Sequence, residues 1–211
     1  MFNVVLVEPE IPANTGNIGR TCVLAGARLH LAGPLGFSLQ EKALRRAGLA
    51  YWESLNLAVY NDWDEFVQKN PVVEQALQEN TATTAQDVED IHVHLLTKAG
   101  KRVYSSSTYH EGDYLIFGKE SAGLSRDLLS AHPSLCERIP MRGDDALKNA
   151  DTWHETFDNL HPDLQRDIAG NFVDPRASVV TSLNLSNSAA IVLYEALRQT
   201  GFQGCDIQLY N

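Results

Sequence analysis

This 211-residue sequence predicts an α/β fold: a mainly parallel sheet with helices on both faces. Three observations predict it. Short Val- and Leu-rich runs recur along the chain, at 2–7, 28–32, 55–60, 91–97, 114–118 and 135–139. Between several of them lie stretches whose apolar residues recur at three- and four-residue steps, the period of a helix buried on one side. Glycines and prolines punctuate the junctions, and strands alternating with helices at this spacing favour parallel pairing.

The elements follow in order. Met1-Phe2-Asn3-Val4-Val5-Leu6-Val7 reads as a buried first strand. Pro9 and Pro12 end it, since proline has no backbone donor. Asn14 to Cys22 leads into a helix running to about Ala25, with Gly26 as its stop. Arg28–Ala32 is the second strand and Gly33-Pro34-Leu35-Gly36 a loop. A helical segment near Gln40–Ala47 places Lys42, Arg45 and Arg46 at i, i+3, i+4 on one exposed face. Such a face is usually just solvated; it is also the best phosphate-contact candidate. Leu55–Tyr60 is a strand, and Asp62 caps a short helix to Gln68. The stretch 70–90 begins as a short helix and ends polar. Ile91–Thr97 is a strand with His92 and His94 on one side. Without nearby carboxylate or thiol ligands, partly buried structural histidines are expected there rather than metal ligands. Tyr114–Gly118 is a strand, followed by a helix capped by Ser125, and Leu135–Ile139 is the last strand.

Near the C-terminus, Ser182 to Arg198 opens with hydroxyls and amides and turns apolar. Leu185, Ala189, Val192, Leu193 and Ala196 form its burial face, and Ser186 or Asn187 is expected to cap it. The polar start suits a ligand site, with the apolar run packed behind it.

A chain that is 44% hydrophobic can bury one sizeable core, so residues 1–211 read as one domain with insertions. No apolar run is long enough to span a membrane, and no charged-then-apolar leader is present. Three cysteines (Cys22, Cys136, Cys205) lie far apart without a CxxC, which suggests neither a zinc site nor a disulfide framework and fits a reducing cytoplasm. The formal charge of −10 argues at first against nucleic acid. Residues 70–92 carry −5 of it and residues 142–181 carry −4. The remaining body is nearly neutral and can present a local basic patch.

Known chemical motifs are mostly excluded. Gly118-Lys119-Glu120-Ser121 lacks the upstream glycine of a phosphate loop, and no GxGxxG occurs. His154-Glu155-Thr156-Phe157-Asp158 has Asp158 where a zinc protease needs its second histidine; with His161 it reads as an amphipathic insert, and no metal is expected.

Three stretches remain: Asn14-Thr15-Gly16-Asn17-Ile18-Gly19-Arg20; Phe117-Gly118-Lys119-Glu120-Ser121-Ala122-Gly123-Leu124; and Ile139-Pro140-Met141 with Ser182-Leu183-Asn184-Leu185-Ser186-Asn187. In this order they resemble the three motifs of the SPOUT methyltransferases, SpoU branch, most closely the TrmL (YibK-like) group. The resemblance covers nearly everything outside 70–92 and 142–181. It implies an α/β fold with a C-terminal trefoil knot, a homodimer, and S-adenosylmethionine as methyl donor, leaving S-adenosylhomocysteine. The implied acceptor is the ribose 2′-hydroxyl of the wobble cytidine or uridine in tRNA, in leucine tRNAs for that group. Another tRNA or ribosomal RNA site, or a non-catalytic RNA-binding role, stays open.

Carried onto this sequence, the resemblance places Leu96, Gly118, Ile139, Ser182 and Leu185 at the cofactor. Asn14, Arg20, Glu120, Ser186 and Asn187 fall near the reacting groups. Tyr194 and Arg198 fall on the C-terminal helix near the dimer interface; Arg198 joins Lys42, Arg45 and Arg46 as a candidate RNA contact. Glycine and small residues such as Gly118 and Ser182 suit a cofactor pressed against backbone. A guanidinium normally stays charged, so Arg20 is expected to bind the adjacent phosphate or the hydroxyl, with a role as the base that takes the hydroxyl proton left open. About forty residues separate Ile139-Pro140-Met141 from Ser182, where compact members of the group have only a few.

Overall fold

The computed structural model describes residues 1–39, 49–79, 92–141 and 182–205. Strands β1 (Asn3–Val7), β2 (Arg28–Ala32), β3 (Leu57–Tyr60), β4 (Val93–Leu96), β5 (Arg102–Val103), β6 (Tyr114–Phe117) and β7 (Cys136–Arg138) form one sheet. Their order is β3-β2-β1-β6-β4-β7-β5, and every ladder is parallel. The chain moves outward from β1 to β2 and β3, then crosses to build the other half. The order therefore reverses between β1 and β6, where open α/β sheets carry their crevice.

Successive strand residues point to opposite faces. Val4, Leu6, Leu115 and Phe117 join Ile18 and Cys22 of α1 (Pro12–Ala25) and Val192 and Leu193 of α6 (Leu185–Gln199) in one buried cluster. Val5, Leu95 and Ile116 point the other way. They meet Phe66 of α3 (Trp63–Lys69), Val73 of α4 (Pro71–Glu79) and, half-buried, Leu128 of α5 (Arg126–Ala131). Helices thus cover both faces, and burial on both sides is why the strands read as unbroken apolar runs. A short helix, α2 (Leu49–Trp52), sits beside α1.

Most helix ends obey the expected chemistry. Gly26 adopts φ 62 after α1 and turns its N–H back to the last turn. Asp62 accepts from the Glu65 N–H at the start of α3, and Ser125 from the Leu128 N–H at the start of α5. The cap of α6 differs from expectation. It is Asn184, not Ser186 or Asn187. All three residue types can cap; the helix begins at Leu185, so only Asn184 stands just outside it. Strand β5 and the 3-10 turn at Tyr104–Ser106 were not predicted, because an Arg-Val pair has too few residues to show a period. The described part of the acidic 70–92 stretch is α4, which buries Val73 against the sheet.

The helix expected at 40–47, with Lys42, Arg45 and Arg46, lies outside the described residues. So do the polar stretch after Glu79, the insertion 142–181 with His154, Asp158 and His161, and with that insertion the closure of any knot.

Candidate functional site

Two loops and one helix start meet at the carboxyl edge of the sheet. The Glu120 carboxylate follows β6 and accepts from the backbone N–H of Glu10 (2.8 Å) and Ile11 (3.3 Å) and from Asn14 Nδ2 (3.0 Å). Ile11, at the N-cap of α1, brings no side-chain acceptor, so Glu120 supplies it from 109 residues away. A carboxylate there also suits the positive end of the helix dipole. Asn14 Oδ1 in turn accepts from Asn184 Nδ2 at 3.0 Å. Asn184 Oδ1 accepts from the Ser186 hydroxyl at 2.6 Å and from the Ser186 N–H at 2.8 Å. An unbroken relay therefore runs Glu120–Asn14–Asn184–Ser186 and joins all three stretches singled out in the sequence.

Two further contacts lock the same loops. Ser121 donates its N–H and its hydroxyl to Glu10, both at 2.9 Å. Lys119 Nζ donates to Glu8 at 2.7 Å. Gly118 is required here, though not for the expected reason. A Cβ at Gly118 would lie 2.0 Å from Gly123 C and 2.1 Å from Leu124 N. The space freed by glycine is filled by the chain's own returning backbone, not left open to a ligand.

The expected cofactor residues fall along adjacent strand ends. Leu96 pairs in register with Phe117 and with Glu137, so Leu96, Gly118 and Ile139 share one edge. Leu96 is buried, while Ile139 and Leu185 pack half-buried into the same apolar cluster. Ser182 is exposed. None of the five is ionisable. Such a donor set fits a flat, uncharged ring held by apolar contact and backbone groups.

The structure brings Asn14, Glu120, Ser186 and Asn187 together, the last through its N–H to Asn184 Oδ1 at 3.4 Å. Arg20 stands apart. It is exposed on α1 and makes no hydrogen bond or ion pair among the described residues. Six residues along a helix turn it roughly 120° from Asn14. Arg198 is held by Glu195 through two 2.8 Å hydrogen bonds, and these pull the Glu195 carboxyl down to about 2. Asn184 was visible in the motif but carried no assigned role; its value lies in a contact 170 residues distant.

A second polar cluster behind the edge escaped sequence reasoning. His94 is fully buried in β4. Its Nδ1 lies 2.7 Å from Glu137 and its Nε2 3.1 Å from Asp113. The absence of carboxylates expected around this histidine is therefore corrected: two flank it, 19 and 43 residues away. Burial alone would lower its pKa, but the hydrogen bonds it donates to Asp113 and Glu137 outweigh that and raise it to about 9. Glu137 moves down: burial opposes its charge, and the His94 contact overrides that. Glu137 also accepts from Ser107 (2.6 Å), Tyr109 (2.8 Å) and Arg102 (3.1 Å). Its carbonyl takes the Thr97 N–H at 2.8 Å, so the loop after Leu96 hangs on β7. Cys22 is buried and its thiol is pushed up to about 12 by burial, which suits a packing role.

The model of the SpoU rRNA Methylase family matches residues 1–149. The tRNA (cytidine(34)-2'-O)-methyltransferase of Burkholderia pseudomallei is 37% identical over 205 residues, covering 97% of this chain and 99% of that protein. A structure solved to explain 2-OH methylation of C/U34 on tRNA superposes with a TM-score of 0.66 at 30% identity, covering 95% of this chain and 97% of the other. The SpoU methyltransferase AviRb from Streptomyces viridochromogenes, in complex with AdoMet, shares the fold, with a TM-score of 0.62 at 22% identity over 94% of this chain and 57% of the other.

Proposed function

The chain belongs to the SpoU rRNA methylase family, and from that premise we propose that it transfers a methyl group from S-adenosylmethionine to the ribose 2′-hydroxyl of nucleotide 34, the wobble cytidine or uridine, in leucine tRNAs. The observation that carries this reading is the relay from Glu120 through Asn14 and Asn184 to Ser186. It assembles three separated stretches at the strand edge, in a chain with relatives named tRNA (cytidine(34)-2'-O)-methyltransferase.

Leu96, Gly118, Ile139, Ser182 and Leu185 would hold the cofactor. When bound, it supplies an electrophilic sulfonium methyl. The chain's own part is placement. Holding the ribose oxygen in line with the methyl makes the step effectively unimolecular, which contributes much of the rate. Glu120 fixes the start of α1, and Asn14 fixes the start of α6. Ser186 and Asn187 at that helix start face the acceptor ribose. Arg20, charged and without a partner among the described residues, takes the phosphate beside it. Lys42, Arg45 and Arg46 supply further phosphate contacts.

The same reading makes the protein a cytoplasmic homodimer. Supporting it, the adjacent helices α1 and α6 expose Leu24 (69%), Ile191 (36%) and Tyr194 (47%). Large exposed apolar side chains on two packed helices are what such an interface would bury. No helix among the described residues is long and apolar enough to cross a membrane. Residues 1–211 are read as one domain with acidic insertions at about 70–92 and 142–181.

The test is incubation of the purified chain with S-adenosylmethionine and unmodified leucine tRNA, followed by mapping of ribose methylation. The expected product carries one 2′-O-methyl group, at the wobble nucleotide. A methyl group elsewhere, or none, overturns the proposal.

A further inference from the structure

On the far side of the 118–124 loop, a cavity of about 430 Å³ opens at the point where the strand order reverses. Its lining includes Glu8 at the end of β1, Trp63 of α3, Lys119, Leu124, and Arg126 and Leu128 of α5. It shares no lining residue with the expected cofactor edge of Leu96, Gly118, Ile139, Ser182 and Leu185. Crevices at such switch points are the usual ligand sites of open α/β sheets. The volume lies low in the range of about 300–1,000 Å³ typical of ligand pockets, so it suits one nucleotide and not a dinucleotide.

The chemistry of the lining names the ligand class. Trp63, Leu124 and Leu128 offer an aromatic and aliphatic wall to a base, and indole faces bind any base by stacking. Lys119 is already held by Glu8, which cancels both charges. Arg126 is exposed and makes no hydrogen bond or ion pair among the described residues. The lining therefore keeps one positive charge in a chain of formal charge −10. Glu8 itself sits at φ 51, a conformation that a non-glycine residue holds only when its surroundings demand it. Here the demands are its ion pair with Lys119 and its N–H to the Ala32 carbonyl at 2.7 Å.

We propose that this cavity binds one unpaired nucleotide of the RNA substrate, adjacent to the one that is methylated, with its base against Trp63 and its phosphate on Arg126. The inference rests on the function proposed above, since the 118–124 loop carries Glu120 on one side and lines this cavity on the other.

Steady-state methylation of an anticodon stem-loop RNA tests it, with the wild-type chain, Arg126→Ala, Trp63→Ala and Trp63→Phe. Arg126→Ala raises the KM for RNA roughly tenfold, as expected for one charged hydrogen bond. It also makes the salt dependence of log KM shallower by about 0.7, the value of one single-strand phosphate contact. Trp63→Ala raises the KM for RNA by a similar factor, and Trp63→Phe restores most of the loss because a stacking face remains. The KM for S-adenosylmethionine and kcat stay at wild-type values. An unchanged KM for RNA and salt slope in Arg126→Ala overturns the proposal. So does a parallel rise in the KM for S-adenosylmethionine, which would mean only a distorted loop. If the wild-type chain neither binds nor methylates the stem-loop, the function reading fails and this inference with it; a wild-type chain that methylates normally beside unaffected variants removes this inference alone.

Discussion

Replacing His94 by glutamine should remove a pH dependence of stability that runs opposite to acid denaturation. In the native chain the imidazole of His94 lies between Asp113 and Glu137, with Arg102 and Tyr109 also turned toward Glu137. Its pKa rises from the ordinary 6.5 to about 9. At about 1.4 kcal/mol per pH unit, that rise corresponds to about 3 kcal/mol favouring the folded state. The folded value is the higher one. The stabilisation is therefore complete below about pH 6.5 and disappears as pH climbs through about 9. Urea unfolding at intervals between about pH 6.5 and about pH 9.5 should show the wild-type chain losing about 3 kcal/mol more than His94→Gln over that window. The variant should start lower by about 3–5 kcal/mol, because buried Asp113 loses its cation and Glu137 keeps only Arg102. Nitrogen NMR of the ring at about pH 7.5 should show both nitrogens protonated. Parallel stability curves for the two chains, or a neutral ring at that pH, would refute the reasoning.

Three other outcomes are expected. Arg20→Ala should keep S-adenosylmethionine binding by calorimetry while methylation falls about 100-fold, the size of a lost charge contact in a transition state. Gly118→Ala should cost about 1–3 kcal/mol in urea unfolding and abolish methylation, because a Cβ 2.0 Å from Gly123 C must displace the loop that carries Glu120. Leu24→Asp combined with Tyr194→Asp should convert a dimer to a monomer in sedimentation, with α-helical circular dichroism unchanged, since both side chains are exposed.

How far the sequence could be read depended on the distance between cause and effect. Gly26, Asp62 and Ser125 act on backbone within four residues, so their roles were legible. The strands were legible because burial on both faces leaves Val and Leu uninterrupted; β5 is two residues long and left no such trace. The motif stretches were legible as stretches, but the order of hydrogen bonds within them was not. Asn14 meets Glu120 across 106 residues and Asn184 across 170. The sequence pointed to Ser186 or Asn187 as the cap, but α6 starts at Leu185 and the residue just outside it, Asn184, takes that role. Glu137 was the least legible of all. An acid in the strand Cys136–Arg138 reads as exposed, and only the convergence of His94, Arg102, Ser107 and Tyr109 from separate parts of the chain makes its burial affordable.

That lesson bears on the apparent conflict between an acidic chain and an RNA substrate. Formal charge counts every carboxylate as though it faced solvent alone. Here Glu8 holds Lys119, and Glu10 receives the amide and hydroxyl of Ser121. Glu120 caps α1, Glu195 holds Arg198, and Asp113 and Glu137 enclose His94. Each of these acids is turned onto a donor of the protein itself, so the field it sends toward a ligand is largely cancelled nearby. The acids closest to the proposed site are the ones most fully engaged. A phosphate approaching the proposed cavity therefore meets Arg126 rather than the −10 of the composition. Raising the salt concentration should weaken RNA binding by this protein, as it does for basic ones, despite its acidic total.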